Sequence, residues 1–124
     1  MKQISIIFPN QLFEESPILD FKCEILMLED SLFWGNDKKY KCINHINKII
    51  FLRSAMYSYR EYLQKSGFKV IYGFNEKNFD TSDYLSKYRV ENYENVNIIE
   101  PHDYLILRRL NKFFNKNEIK VNIL

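Results

Sequence analysis

Gln3–Phe8, read QISIIF and followed at once by Pro9, is the stretch that decides the fold. It reads as a continuous apolar run, which suits a strand buried on both faces. Pro9 has no backbone N–H to offer a neighbouring strand, so the run stops there. Four more runs of this kind follow: Glu24–Leu28 (EILML), Phe68–Phe74 (FKVIYGF), Asn95–Ile99 (NVNII, ahead of Pro101) and Ile119–Ile123 (IKVNI).

Helical patterns lie between these runs. From about His45 to Lys65, Leu52, Met56, Tyr59 and Leu63 recur at steps of three and four, which stacks them on one face, and Ile49 widens the stripe. Gly67 follows as a stop signal. Thr81-Ser82-Asp83 supplies capping residues for a helix to about Arg89, and Asp103 for one to about Asn115 with Leu107, Leu110 and Phe114 inward. Ser31–Ile43 has no clean period and reads as a long loop. Asn10–Cys23 is irregular, with room for one short helical turn.

Buried-type strands joined by helices require a parallel sheet, because only a crossover connection returns the chain in the same direction. Right-handed crossovers then give an α/β fold: a doubly wound, Rossmann-like, five-stranded parallel sheet of order 3-2-1-4-5, with helices on both faces. In such sheets a ligand lies beyond the carboxyl ends of the strands, at the switch between strands 1 and 4. Four segments reach that edge: Pro9–Phe13, Glu29–Trp34, Phe74–Lys77 and Glu100–Tyr104.

Composition narrows the function classes. The 124 residues carry 18 basic and 16 acidic side chains, a net charge of +2, which argues against a protein that coats nucleic acid. One domain fits this length. Two cysteines, Cys23 and Cys42, cannot supply a disulfide framework, a four-thiolate zinc site or an iron–sulfur cluster, and read as free buried thiols in a reducing compartment. No apolar stretch approaches the ~20 residues of a membrane span, and the N-terminus lacks a secretory pattern. The expected setting is the cytoplasm. Glycine-rich phosphate loops and the G-x-S-x-G elbow are absent, so spacing alone identifies no reaction.

FPNQL (8–12), LMLEDSLFW (26–34), NHINKIIFLRSAMYSYREYLQKSGFKVIY (44–72) and IIEPHDYLI (98–106) resemble, in the same order, the N-terminal domain of deoxyribodipyrimidine photolyase-related proteins, the bacterial cryptochrome/photolyase branch. The specific pieces are N-Q-L after strand 1, H-x-x-K with F-x-x-S-A-M, and E-P after strand 4. The resemblance implies a single antenna-type α/β domain over residues 1–124. On the same resemblance, the helical domain that in the family binds FAD and DNA and carries the iron–sulfur cluster is expected to be absent from this chain. It further implies a site for 6,7-dimethyl-8-ribityllumazine or a flavin, with no FAD pocket or cluster here. The family's activity is that of a DNA photolyase, a carbon–carbon lyase; none is expected of this chain alone.

Candidate site residues follow from the edge rule and the resemblance together. The Asn10 and Gln11 amides offer donor–acceptor pairs to a pteridine-like ring, and Leu12 completes that motif; a local turn after Pro9 accounts for Asn10 equally well. Glu29 can accept from a ring N–H or a ribityl hydroxyl, or it can be a strand-end charge. Phe33 and Trp34 can stack on a ring or lid the core. His45, Lys48 and Leu52 share a helix face at i, i+3 and i+7, fit for a hydroxyl-rich tail and a ring edge. Arg53 and Arg60 share another face and can pair with acids or meet another domain. Glu100 and His102 follow strand 4. The basic side of the last helix, Arg108, Arg109, Lys112 and Lys116, reads first as solvated.

Three readings remain. The first is a non-enzymatic binding domain that works alone, self-associates or docks on a separately encoded flavin-binding helical partner, with neither DNA nor membrane as its own partner. The second is a fragment of a full flavin-dependent photolyase or cryptochrome. The third is an unrelated nucleotide-binding signalling module on the same fold.

Overall fold

The computed structural model describes residues 2–13, 15–42 and 46–124. Five strands, β1 (Gln3–Ile7), β2 (Glu24–Leu28), β3 (Val70–Gly73), β4 (Asn95–Ile98) and β5 (Lys120–Ile123), form one sheet of order β3-β2-β1-β4-β5. Every pairing is parallel. The expected topology is therefore the observed one. Phe68 and Phe74 fall outside β3, and the last residues of the β1 and β4 runs, Phe8 and Ile99, continue as coil.

Side chains alternate across the sheet and feed two cores. Ile4, Ile6, Phe8, Leu26, Leu28, Val96 and Ile98 face one side, under α3 (Thr81–Lys87) and α4 (Tyr104–Lys116). Ile7, Ile25 and Met27 face the other, under Met56, Tyr59 and Leu63 of α2 (Ile46–Lys65). Helices thus cover both faces, which fits the near-continuous apolar run of β2. On the α2 side the β1/β4/β5 portion is polar instead. Asn122 donates to Asn97 (2.9 Å), and Asn97 Nδ2 lies 3.4 Å from Ser5, whose hydroxyl meets the Cys23 thiol at 3.2 Å.

Helix ends carry the expected signals, with local corrections. At the end of α2, Gly67 takes φ +92°, with Phe68 N–H bonded to Leu63 and Gly67 N–H to Gln64 (both 3.1 Å), a Schellman stop. Asp103 caps α4 through the N–H groups of Leu105 and Ile106. The α3 cap is Asp80, not Thr81, Ser82 or Asp83; Asp80 and Asp83 form a reciprocal capping box. Ser31–Ile43 does not begin as a loop: Ser31–Trp34 forms a short helix, α1, capped by Asp30 and closed by Gly35 at φ +80°. The irregular first connection holds a 3-10 turn at Pro17–Phe21. Cys42 is exposed and Cys23 half-buried, so neither is the buried thiol expected.

Candidate functional site

The carboxyl edge of the sheet is organised by Glu29, the first residue beyond β2. Its backbone N–H extends the ladder to Gly73 O (2.8 Å), which draws the side chain into the space between β2, β3 and α2. There the carboxylate is fully buried. Arg53 of α2 grips it in a fork, Nε to Oε2 at 2.9 Å and Nη2 to Oε1 at 2.6 Å. The Tyr72 hydroxyl donates to Oε2 and the Asn75 backbone N–H to Oε1 (2.8 Å). Both oxygens are thereby occupied, as a buried charge requires. Glu29 in turn raises the pKa of Arg53, while burial and the bond to Glu29 push the Tyr72 phenol well above its ordinary value.

What faces outward is the other side of this cluster. The Arg53 guanidinium, its side chain 40% exposed, lies 5.8 Å from the Trp34 ring and 6.0 Å from Phe74. Phe74 is half exposed and packs 4.8 Å from Tyr72 and 6.5 Å from Tyr57. Arg60 lies over Tyr57 (4.7 Å) and Tyr72 (5.1 Å), so the face shared by the two arginines is an aromatic–cationic shelf. Large apolar side chains left in water gather at the same end of the sheet: Phe13 after β1, Ile46 and Ile50 at the start of α2, Phe74 after β3 and Tyr104 after β4.

The other expected residues are placed as follows. Gln11 is buried and stitches the β1/β4 switch: its Oε1 accepts from Phe8 N–H (3.2 Å) and its Nε2 donates to Ile99 O (3.1 Å). The chemical cluster therefore lies toward β2 and β3, away from the β1/β4 crevice. Asn10 is exposed in the turn after Pro9, and Leu12 packs half-buried on the α2-side core. Phe33 is stacked 6.5 Å from Phe8 and serves the opposite core, whereas Trp34 is buried under the Arg53 guanidinium. Lys48 and Glu100 are exposed and Leu52 half-buried; His45 lies outside the described residues. Arg53 pairs with an acid as one of its two readings anticipated. Tyr72 and Asn75 carried no signal of their own, since strand 3 and its loop reach Glu29 only through the folded sheet.

A second polar cluster adjoins α1. Asp37 is fully buried and holds Arg109 of α4 in a fork, at 2.7 and 3.0 Å, while its Oδ2 caps the N–H groups of Lys39 and Tyr40. Burial alone would raise the Asp37 pKa; the bonds from Arg109, Tyr40 and Lys39 outweigh it and hold the carboxyl below its usual range. Asp30 accepts from Leu32 N–H on Oδ1 (3.0 Å), but its buried Oδ2 has no hydrogen-bond partner among the described residues. Burial raises Asp30 to a pKa of about 6.

The chain is an open parallel α/β domain with an aromatic, charge-lined shelf at the carboxyl ends of its strands. The family described as deoxyribodipyrimidine photo-lyase-related protein matches residues 5–124, and the chain belongs to that family. It is also 37% identical, over 127 residues, to "Uncharacterized protein R852" of Acanthamoeba polyphaga mimivirus; the match covers 98% of this chain and 62% of that protein. The chain thus spans less than two thirds of the relative's length. No described helix is long and apolar enough to cross a membrane.

Proposed function

We propose that this chain is a photolyase-related antenna domain of the bacterial cryptochrome branch. It binds a ribityl-lumazine or flavin-like chromophore at the carboxyl edge of its sheet and has no photolyase activity by itself. The observation that carries this reading is the half-exposed Phe74 ring backed by Tyr72 and flanked by Arg53. A bicyclic ring stacks on Phe74, and the Arg53 N–H groups not spent on Glu29 donate to its carbonyl oxygens. Glu29 acts through Arg53 instead of touching the ring, because its own lone pairs are engaged. Lys48, exposed at the start of α2, the helix that carries Arg53, suits a polyhydroxyl tail.

The shelf is open, so a chromophore there keeps one face toward solvent until a second surface covers it. A flavin-bearing helical partner is the fitting cover, since excitation captured by an antenna needs a nearby flavin acceptor. The test is incubation with 6,7-dimethyl-8-ribityllumazine, FMN, FAD and nucleotides, followed by desalting and absorbance. Retained lumazine or flavin supports the reading; retention of a nucleotide alone overturns it. A second reading is that the domain serves within a longer flavin-dependent repair or light-sensing protein; the viral relative does extend beyond the matched segment, which covers 62% of it. A downstream reading frame encoding a helical, cysteine-bearing segment would decide for it.

A further inference from the structure

On the opposite face of the sheet from α2, a groove of about 870 Å3 runs between α3 and α4 and is also lined by Lys38, Lys39 and Tyr40. Its charge is lopsided. Six basic side chains line it, against the acids Asp80, Asp83 and Glu91. Asp80 and Asp83 are spent on the α3 capping box, and Asp83 also holds Lys38 at 2.7 Å. Arg109 is held by Asp37. Lys39, Arg108, Lys112 and Lys116 remain exposed, with no carboxylate partner among the described residues. The net charge of +2 for the whole chain hides this concentration on one face.

Spacing and the aromatic decide the partner. Arg108, Lys112 and Lys116 recur every fourth residue, so they form a ridge with a cation about every 6 Å along α4. That repeat suits the phosphates of an extended strand. Within the lining, the Tyr40 ring is 43% exposed, with the Lys39 ammonium 5.4 Å and the Arg109 guanidinium 5.6 Å from its centroid. A backbone-tracking row of cations beside an exposed aromatic is the arrangement that holds single-stranded nucleic acid without sequence preference. We propose that the α3/α4 groove binds a single nucleic-acid strand, with its phosphates on the α4 ridge and a base stacked on Tyr40. An acidic peptide would use the cations but has no base to stack on Tyr40.

The test is fluorescence anisotropy with a labelled oligothymidylate at several salt concentrations. Four phosphate contacts give a slope of log K against log salt of about −3, so affinity falls about fifty-fold between 50 and 200 mM salt. The triple variant Arg108→Gln, Lys112→Gln, Lys116→Gln is expected to bring the slope to about −0.7. Tyr40→Ala should weaken binding about ten-fold while leaving the slope unchanged. A control triple, Lys22→Gln, Lys65→Gln, Lys77→Gln, should leave affinity within two-fold. Equal losses from both triples, no effect of Tyr40→Ala, or equal binding of polyglutamate would each overturn the proposal. Circular dichroism confirms that each variant is folded.

Discussion

Arg53 and Glu29 lie 24 residues apart in the chain, yet their side chains meet in a two-point fork that joins α2 to the end of β2. One partner is fully buried and the other partly open, so the pair is both a structural clamp and the floor of the shelf. Removing the acid strands a guanidinium and leaves Tyr72 and Asn75 without their acceptor. Glu29→Ala is expected to destabilise the fold by about 3 kcal/mol, the low end for breaking a buried pair because water screens the open side of Arg53. Urea denaturation measures it. A loss below about 1 kcal/mol would mean that the clamp does not hold α2 to the sheet.

Asp30 gives a pH dependence of unusual sign. Its folded pKa, about 6, stands above the ordinary 3.8, so the folded state keeps a proton that the unfolded chain gives up. Stability from this group is full below pH 4 and is lost as pH rises through 6, by up to about 3 kcal/mol. Asp30→Asn keeps a carbonyl for Leu32 N–H and removes the titration. Relative to wild type, the variant should gain stability between pH 4 and pH 7; a difference that is flat or of opposite sign would refute the assignment.

Gly73 closes β3 where space, not backbone angle, demands glycine. A Cβ there would sit 2.7 Å from Leu28 Cδ2 and 3.1 Å from the Tyr88 ring. Leu28 is fully buried in the α3/α4-side core and cannot retreat freely. Gly73→Ala is expected to cost about 1–3 kcal/mol, read as a lower thermal midpoint. An unchanged midpoint would show that the core yields at this point.

The strands were legible as short runs rich in β-branched and aliphatic residues, and their order followed from crossover handedness, a rule that needs only the alternation of elements. Gly67 and Asp103 were legible because each acts within one turn of its helix. The helix at Ser31–Trp34 was not, since four residues are too few to show a period. Its signals, the Asp30 cap and Gly35, became evident only with the backbone. The α3 start was misplaced by one residue because several good caps adjoin, and only the reciprocal Asp80–Asp83 pair singles out one of them. At the site, Glu29 was visible as a strand-end acid, but its four donors come from α2, β3 and the loop after β3. Sequence spacing carries no information on which of two arginines reaches it. Cys42 looked buried by residue type; it lies in the connection after the Asn36–Lys41 bridge, which faces water.

The central claim, that the Phe74–Arg53 shelf binds a planar chromophore, is tested most directly through Trp34, the single tryptophan of the chain, which lies beneath Arg53. Titration with 6,7-dimethyl-8-ribityllumazine is expected to quench Trp34 emission saturably. Phe74→Ala should weaken the binding about five- to ten-fold through loss of the stacking face. Trp34 emission that stays constant across the titration, with the protein folded, would contradict the account.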